Sequence, residues 1–183
     1  MVCSAMMGEV RTASRMLQVM LWKARYGAIA AVLFVATAAH AVPELDQPAP
    51  PLRGKLFSGA PLDLSQMRGK VVLINFYSSY CKFCAYEIGN LETFYENHNA
   101  EGFEVIALGV DELSDRDRVQ RALTLYGLPG AMVDELQANG FGHRYPTPTT
   151  FLIDRKGIVR YKQWGAKSAA FYREVVLPLL REP

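Results

Sequence analysis

Two long apolar runs, joined by an amphipathic segment, stand out in the pattern of the chain. The runs are VVLINFY at 71–77 and FEVIALGV at 103–110. Such runs, rich in β-branched and aromatic residues, are typical of strands buried on both faces of a sheet. Between them, apolar residues recur at spacings of three and four, at Ile88, Leu91, Phe94 and Tyr95. This predicts a helix that begins at or just after Cys81 and ends near residues 97–99, with parallel strands on either side.

Shorter elements surround this strand–helix–strand unit. Residues 54–64 predict two short strands around a turn at 58–61. A second helix is predicted from about Ser114, with acidic residues in its first turn and Gly127 at its end. After a short apolar stretch, a weak helix is predicted at residues 135–140.

The last part of the chain predicts a hairpin and a closing helix. The segments 149–154 and 158–163 flank a tight turn, which indicates an antiparallel pair. Residues 168–180 predict an amphipathic helix, whose inward side chains are expected to be Phe171, Val175, Val176 and Leu179. The element order is therefore a β-hairpin, then βαβ, then ββα, which indicates an α/β chain.

Residues 1–41 differ in composition from the rest of the chain. An uncharged run at 26–41 follows Lys23 and Arg25 and ends in the sequence AHA. A basic stretch, a short apolar core and this small-residue end are typical of a secretory signal peptide. The run has 16 residues, fewer than the roughly 20 that a spanning helix needs. We therefore expect cleavage after Ala41 rather than an uncleaved anchor, and either form places the remaining chain in the periplasm.

The residues after the leader define the expected domain and its charge. VPELDQPAPP at 42–51 contains four prolines and predicts a stiff extended linker, so that the folded domain occupies 52–183. The leader holds four of the 20 basic residues and one of the 18 acidic ones, which leaves the remainder a net charge of −1. This near-neutral charge gives no reason to expect binding to nucleic acid. Contact with a membrane is expected only through an uncleaved leader.

Without the leader, the chain keeps two cysteines, Cys81 and Cys84, separated by Lys82 and Phe83. In an oxidising compartment, a lone pair this close along the chain is more typical of catalysis than of structure. The expected helix N-terminus at Cys81, with its free N–H groups and its dipole, favours a thiolate, and Lys82 adds a positive charge. Cys81 is thus the expected nucleophile, and Cys84 the thiol that resolves a mixed disulfide.

Other uses of the cysteine pair stay open at this point. A structural zinc site needs two more ligands, for which the remaining chain offers His98 and His143. Covalent haem attachment needs a histidine where the chain has Ala85, and a structural disulfide is a further alternative. The sequence gives no reason to expect a bound metal or cofactor.

Two stretches carry a resemblance to a known family, GKVVLINFYSSYCKFCAYEIGNLETFYE at 69–96 and TPTTFLIDRKGIV at 147–159. They resemble the thioredoxin-like family of the TlpA/ResA type, and the resemblance covers about residues 44–181. It implies a thioredoxin fold, with a central mixed sheet flanked by helices, an N-terminal β-hairpin and a central insertion. It also implies an exported thiol–disulfide oxidoreductase.

The resemblance assigns further residues to the site. Pro148 matches the cis proline that lies opposite the cysteines in this family, which leaves the backbone of Thr147 free to pair with an extended substrate. The alternative is that Pro148 only stiffens a loop. Tyr80 stands where the family has Trp and is expected to keep an aromatic cover at the substrate site. Lys82 and Phe83 stand where thioredoxin has Gly-Pro and are expected to tune the reduction potential.

An acid near the second cysteine is also implied. Ordinary thioredoxin carries a buried acid six residues before its first cysteine, where this chain has Asn75, whereas the TlpA/ResA type has a glutamate that matches Glu87. Residues three apart share a helix face, so Glu87 is expected near Cys84, where a buried carboxyl assists proton transfer. The alternative is a solvated helix carboxylate.

The expected function is dithiol–disulfide exchange with exported protein thiols and disulfides, more as a reductant than as an oxidant. Candidate substrates are apocytochrome c and cuproprotein assembly factors, although Thr149 replaces an acid that cytochrome-maturing relatives often carry. A reductase in this compartment needs electrons from a membrane-embedded thiol carrier. The alternatives are an oxidant of exported proteins, a copper chaperone that uses the thiols as soft ligands, and a peroxidase of related fold.

Overall fold

The structure is a computed structural model that describes residues 43–143 and 145–182. In chain order its strands are β1 (Leu52–Lys55), β2 (Pro61–Asp63), β3 (Val71–Tyr77), β4 (Phe103–Gly109), β5 (Gly130–Met132), β6 (Ala138–Asn139), β7 (Thr149–Ile153) and β8 (Val159–Trp164). Its helices are α1 (Lys82–His98), α2 (Arg116–Leu125) and α3, which runs through Ala169–Phe171, Tyr172–Val176 and Leu177–Arg181.

β3 lies at the centre of a five-stranded sheet with the order β5-β4-β3-β7-β8. It pairs in parallel with β4 over its whole length, from Val71 opposite Phe103 to Tyr77 opposite Gly109. On its other side it pairs antiparallel with β7, which in turn pairs antiparallel with β8. All residues of β3 are buried, because both faces of the sheet are covered. The predicted central mixed sheet is confirmed.

Two apolar clusters lie against the sheet, and β3 alternates between them as a strand must. One cluster contains side chains of all three helices together with Val71, Leu73 and Tyr77. The other contains side chains of the hairpin β1–β2 and of the segment 133–141, together with Val72, Ile74 and Phe76. The predicted N-terminal hairpin is confirmed, with β1 and β2 antiparallel.

The helix predicted at residues 135–140 is wrong. Val133–Glu135 forms a single 3-10 turn, and β6 follows it and pairs antiparallel with β1. The backbone N–H of Gly140 donates to the carbonyl of Pro51, just before β1, and the ring of Phe141 is buried. Strand pairing and the burial of one aromatic ring outweigh the local preference of a short polar segment, which is too short to be a stable helix.

The closing helix is confirmed, but its most buried side chains differ from the prediction. A π turn over Tyr172–Val176 widens the helix. The buried side chains recur every four residues, at Tyr172, Val176 and Leu180. Three of the expected inward residues are only partly buried, namely Phe171, Val175 and Leu179. The buried face of the helix is therefore displaced by one residue from the predicted one.

The segment before β1 turns at Asp46, where φ is +60, and lies beside the start of β8. The backbone N–H of Asp46 donates to the carbonyl of Val159 at 2.8 Å, and the N–H of Val159 donates to the carbonyl of Gln47 at 2.9 Å. Arg160 donates to the carboxylate of Asp46 at 2.6 Å. These contacts attach residues 46–49 to the edge of the sheet.

The predicted leader, residues 1–41, lies outside the described residues. Within 43–143 and 145–182, no helix combines the length and the apolar character needed to cross a membrane.

Candidate active site

Cys81 occupies the N-cap position of α1, directly after the break that ends β3. Its sulfur accepts a hydrogen bond from the backbone N–H of Cys84, with the two atoms 3.1 Å apart. Its thiol donates to the carbonyl of Thr147, with Sγ 3.4 Å from the oxygen. A sulfur that accepts a free N–H of the first helical turn is placed where the helix dipole favours a thiolate. Cys81 is also partly exposed, so this sulfur is open to a substrate.

Cys84 lies one turn further along α1, and its environment is different. It is 1% exposed and packs in the same apolar cluster as Ile88 and Leu91. Burial raises the pKa of the Cys84 thiol to about 12. The two thiols are therefore unequal. Cys81 caps the helix and is accessible, whereas Cys84 is buried and protonated near neutral pH.

The loop before β7 faces the cysteines. The Thr147–Pro148 peptide bond is cis, as the resemblance implies. The carbonyl of Thr147 points to Cys81, and the carbonyl of Pro148 accepts the backbone N–H of Gly165 at 2.8 Å. Thr149 Oγ1 donates to the carbonyl of Pro146 at 2.6 Å. The proline loop is thus held between the first turn of α1 and the end of β8.

Glu87 is buried, which contradicts the alternative of a solvated helix carboxylate. It is 2% exposed, and its carboxyl group accepts hydrogen bonds from Asn75 Nδ2 at 3.2 Å and from Thr150 Oγ1 at 3.3 Å. Burial raises the pKa of Glu87, while the charge of Lys167 and these two donors oppose the rise. The carboxyl group lies on the same helix as Cys84, three residues later, and faces the centre of the sheet.

Asp111 belongs to the site and was missed by the sequence analysis. It follows β4 and is 8% exposed. Its carboxylate accepts hydrogen bonds from Ser78 Oγ at 2.8 Å and from the backbone N–H of Ser79 at 2.9 Å. Because parallel strands end at the same edge of a sheet, a carboxylate after β4 reaches the loop after β3. The available signal was its position just after the apolar run at 103–110.

Lys167 was also missed. It lies between β8 and α3, is 5% exposed, and is placed behind the site rather than at its surface. Nothing around it in the sequence pointed to burial, because a single lysine before a closing helix is ordinarily solvated.

The surface around Cys81 is aromatic. Tyr80 and Phe83 are 62% and 69% exposed, and Tyr86 and Trp164 are exposed to a similar degree. The hydroxyl of Tyr80 donates to Asp115 at 2.9 Å, and this hydrogen bond raises the pKa of Tyr80. Lys82 is exposed in the first turn of α1. The residues between the cysteines are thus presented to a partner and not to the core.

The zinc site weighed from the sequence is not assembled. His98 ends α1, so a rise of about 1.5 Å per residue places it roughly 20 Å from the thiols. His143 lies beside Asp134, with its Nδ1 atom 3.5 Å from the carboxylate. Within the part of the chain that the structure describes, no three His, Cys, Asp or Glu side chains are placed to hold a metal ion.

Comparison with known proteins agrees with this geometry. The model of the AhpC/TSA family matches residues 45–162, more than half of the chain. A protein named thiol-disulfide oxidoreductase ResA, from Halalkalibacterium halodurans, is 34% identical over 102 residues, which are 54% of this chain and 56% of its own. A protein of the same name from Bacillus thuringiensis is 34% identical over 103 residues, 55% of this chain and 58% of its own. The chain thus spans little more than half the length of these curated relatives.

The fold is also shared with solved structures. A thiol:disulfide interchange protein of the thioredoxin family from Chlorobium tepidum superposes with a TM-score of 0.64 at 24% identity, covering 76% of this chain and 99% of that one. This likeness shows a thioredoxin fold, as expected. Together with the curated relatives, it confirms the resemblance to thioredoxin-like proteins of the TlpA/ResA type.

Proposed function

Since the chain belongs to the AhpC/TSA family, we propose that it is a thiol–disulfide oxidoreductase that exchanges a Cys81–Cys84 dithiol or disulfide with protein substrates. The observation that carries this proposal is the unequal pair of thiols. Cys81 is an accessible helix cap opposite the carbonyl of Thr147, and Cys84 is buried one turn further along. The relatives named thiol-disulfide oxidoreductase ResA support the same reaction class.

In the reducing direction, the reaction takes two displacements at sulfur. The Cys81 thiolate attacks one sulfur of a substrate disulfide, forms a mixed disulfide and releases the other substrate sulfur as a thiolate. Cys84 then gives up its proton and attacks Cys81 Sγ, so that the second substrate sulfur leaves as a thiolate. The dithiol loses two electrons, the substrate disulfide gains them, and the two substrate thiolates take up protons. The same steps in reverse oxidise a substrate dithiol.

We assign to the buried carboxylate of Glu87 the role of the base that takes the proton from Cys84. A thiol with a pKa of about 12 needs a base before it can attack at neutral pH. Glu87 lies on the same helix, away from bulk water, and its raised pKa brings the proton affinity of its carboxyl group closer to that of a thiol.

The substrate face combines backbone and aromatic groups. The backbone of Thr147 flanks Cys81 beside Pro148, in a position to pair with an extended substrate segment. The exposed rings of Tyr80 and Phe83 border the same thiol and are suited to an apolar side chain next to the substrate cysteine.

We further propose that the protein works as a reductant of exported proteins in the periplasm, with cytochrome c or cuproprotein maturation as its setting. The support is the predicted leader at 1–41 and the resemblance to the TlpA/ResA type. A membrane-embedded thiol carrier would supply the electrons, because that compartment lacks a reducing thiol pool.

Trapping the mixed disulfide tests the reaction and names the substrates. Cys84→Ser, expressed in the native host, removes the resolving thiol, so partners should accumulate on Cys81 as adducts that a reductant releases. Mass spectrometry of these adducts identifies the partners. The double variant Cys81→Ser/Cys84→Ser is the matched control and should capture none. Equal capture by both variants, or none by either, contradicts the proposal.

The direction of electron flow needs a separate measurement. Rapid acid quenching of cells followed by thiol alkylation reports the resting state of the wild-type pair. A reductant is held mainly as the dithiol, and loss of its electron donor converts it to the disulfide. A pair that is oxidised in every strain indicates an oxidant instead.

A further inference from the structure

Lys167 is a buried lysine on the side of the site away from solvent. It is 5% exposed, which is rare for a residue with a charged end. Its Nζ atom donates to the carbonyl of Gln163 at 3.3 Å and to the carbonyl of Gly165. It also lies 5.8 Å from the ring centres of Tyr161 and Phe171. A buried ammonium group held by neutral carbonyls still needs a negative charge nearby to offset its desolvation.

That charge is the carboxylate of Glu87. Burial lowers the pKa of Lys167, and the charge of Glu87 opposes this change. In return, the ammonium and the backbone N–H of Lys167 both oppose the rise that burial causes in the pKa of Glu87. The strand pairing brings the two groups into the same buried region, because Thr150, which donates to Glu87, pairs across β7 and β8 with Gln163, whose carbonyl accepts from Lys167 Nζ. Among the described residues, the ion pairs within 4.0 Å do not include Lys167 and Glu87. In a medium of low polarity, such an interaction is stronger than in water.

The other groups that face Glu87 are neutral near neutral pH. Asn75 on β3 and Thr150 on β7 donate hydrogen bonds to it. Tyr161 on β8 and Tyr172 on α3 are close enough for the carboxylate to raise the pKa of their hydroxyl groups, which burial raises first. Among these groups around Glu87, Lys167 is the cation, and it lies in the loop between β8 and α3.

Lys167 is also linked, through Gly165, to the loop that carries the cis proline. Its ammonium group holds the carbonyl of Gly165, whose N–H donates to the carbonyl of Pro148. The preceding carbonyl, that of Thr147, accepts from Cys81. One side chain is therefore linked through Gly165 to the backbone that faces the nucleophile, and its charge acts on the buried acid of α1.

We propose that Lys167 is a positioning residue of the thiol exchange, whose buried positive charge keeps Glu87 ionised so that the carboxylate can take the proton of Cys84. This proposal rests on the function proposed above. Without the ammonium group, the carboxyl group of Glu87 stays protonated to a higher pH. A smaller fraction can then accept a proton at neutral pH, and the second displacement slows.

The test compares pH profiles of substituted full-length proteins. Lys167→Met keeps the length of the side chain and removes its charge, whereas Lys167→Arg keeps the charge. Lys162→Met, on β8 beside Phe151, is the matched lysine control. The rate at which the reduced protein cleaves a small peptide disulfide is followed against pH for each protein. The midpoint of the rate against pH should move up by about one pH unit in Lys167→Met, which is the lower end of the effect of a neighbouring opposite charge. Lys167→Arg and Lys162→Met should stay near the wild-type midpoint.

A second background separates charge from structure. In Glu87→Gln, the further change Lys167→Met should leave the midpoint unaltered, because the group that it acts on is gone. A purely structural lysine would instead lower the rate by the same factor with and without Glu87, at every pH, and that result overturns the proposal.

A direct titration separates this proposal from the proposed function. The carboxyl carbon of Glu87, followed by NMR, should titrate at a higher pH in Lys167→Met than in the wild type whether or not the protein turns over a disulfide. An unmoved titration overturns the role of Lys167. A moved titration without any Cys81-dependent exchange in the wild type leaves the charge pair in place and contradicts the proposed function.

Discussion

The side-chain amide of Asn75 donates a hydrogen bond to the carboxyl group of Glu87, with Nδ2 3.2 Å from Oε2. Both residues are buried, Asn75 on β3 and Glu87 on α1. The strand position that carries the acid in ordinary thioredoxin therefore supplies a donor here, and the acid stands on the helix that faces it. Because the amide is neutral, ionisation of Glu87 meets no like charge at this contact.

Asn75→Asp should convert this contact into a pair of carboxyl groups that share a proton. The pair holds its second proton to a higher pH than the unfolded chain does, so stability should fall as pH rises toward neutral. We expect a loss of about 1–3 kcal/mol at neutral pH, measured by urea unfolding. Asn90→Asp is the control, since Asn90 bonds to its own helix at Tyr86. A loss of the same size in the control, or one that does not depend on pH, contradicts the prediction.

Glu87→Gln should change how stability depends on pH. Burial raises the folded-state pKa of Glu87 above its ordinary value. A raised carboxyl pKa means that the folded state holds the proton more tightly than the unfolded state. The stability that this gives is fully present below the ordinary carboxyl pKa and is lost as pH rises through the folded value.

The amide cannot ionise, so the stability of Glu87→Gln relative to the wild type should improve from acidic to neutral pH. Urea unfolding at a series of pH values measures this difference. Glu96→Gln, an exposed position on the same helix, should run parallel to the wild type. If the stability of Glu87→Gln also follows that of the wild type across the pH range, folding does not raise the pKa of Glu87.

The predictable parts of this protein are those that local pattern determines. The seven-residue run of β3 and the amphipathic spacing of α1 place Cys81 at a helix cap without further information. β6 was not predictable, because its pairing depends on β1, more than eighty residues away. Local propensity is a weak guide where a short segment is fixed by a distant strand.

The residues of the site also divide into those that the sequence predicts and those that only the fold reveals. Cys81 and Cys84 follow from spacing, and Pro148 and Glu87 needed the resemblance. Asp111 and Lys167 contribute through the fold alone, since Asp111 bonds to the loop before Cys81 from the end of β4 and Lys167 acts on Glu87 from the loop after β8. An acid and a lysine with no motif around them read as surface residues in a sequence.

Asp111→Asn should loosen the loop between β3 and α1. The carboxylate holds Ser78 and the backbone N–H of Ser79, and an amide can keep only part of these contacts. We expect a loss of about 1–3 kcal/mol in unfolding free energy. We also expect a fall on the order of tenfold in disulfide exchange, because the nucleophile is less well placed. Asp115→Asn removes the charge of the group that accepts from the Tyr80 hydroxyl but keeps an acceptor oxygen there, and it should change stability by about 0.5 kcal/mol or less. Wild-type exchange in Asp111→Asn contradicts a positioning role.

Gly165→Ala should destabilise the protein for a reason of backbone conformation. Gly165 has φ +99 and donates to the carbonyl of Pro148. Alanine there has open space around its Cβ but an unfavourable φ, with a cost of about 1–2 kcal/mol. Gly89→Ala, in the middle of α1 and also with open space, should instead stabilise by roughly 0.5–1 kcal/mol. Thermal unfolding compares the two, and effects of the same sign contradict the argument.

Cys81 and Cys84 should differ in reactivity far more than their closeness in sequence suggests. A pKa of about 12 leaves Cys84 with roughly one thiolate in 10⁵ molecules at pH 7, and burial also excludes the reagent. A limiting amount of iodoacetamide at neutral pH should therefore label Cys81 and spare Cys84, as read by mass spectrometry of the reduced protein. In Cys81→Ser, labelling should require unfolding, and urea should make Cys84 accessible. Comparable labelling of both thiols in the folded protein would show that Cys84 is neither shielded nor protonated, and the assignment of Cys81 as the attacking thiol would then lose its physical basis.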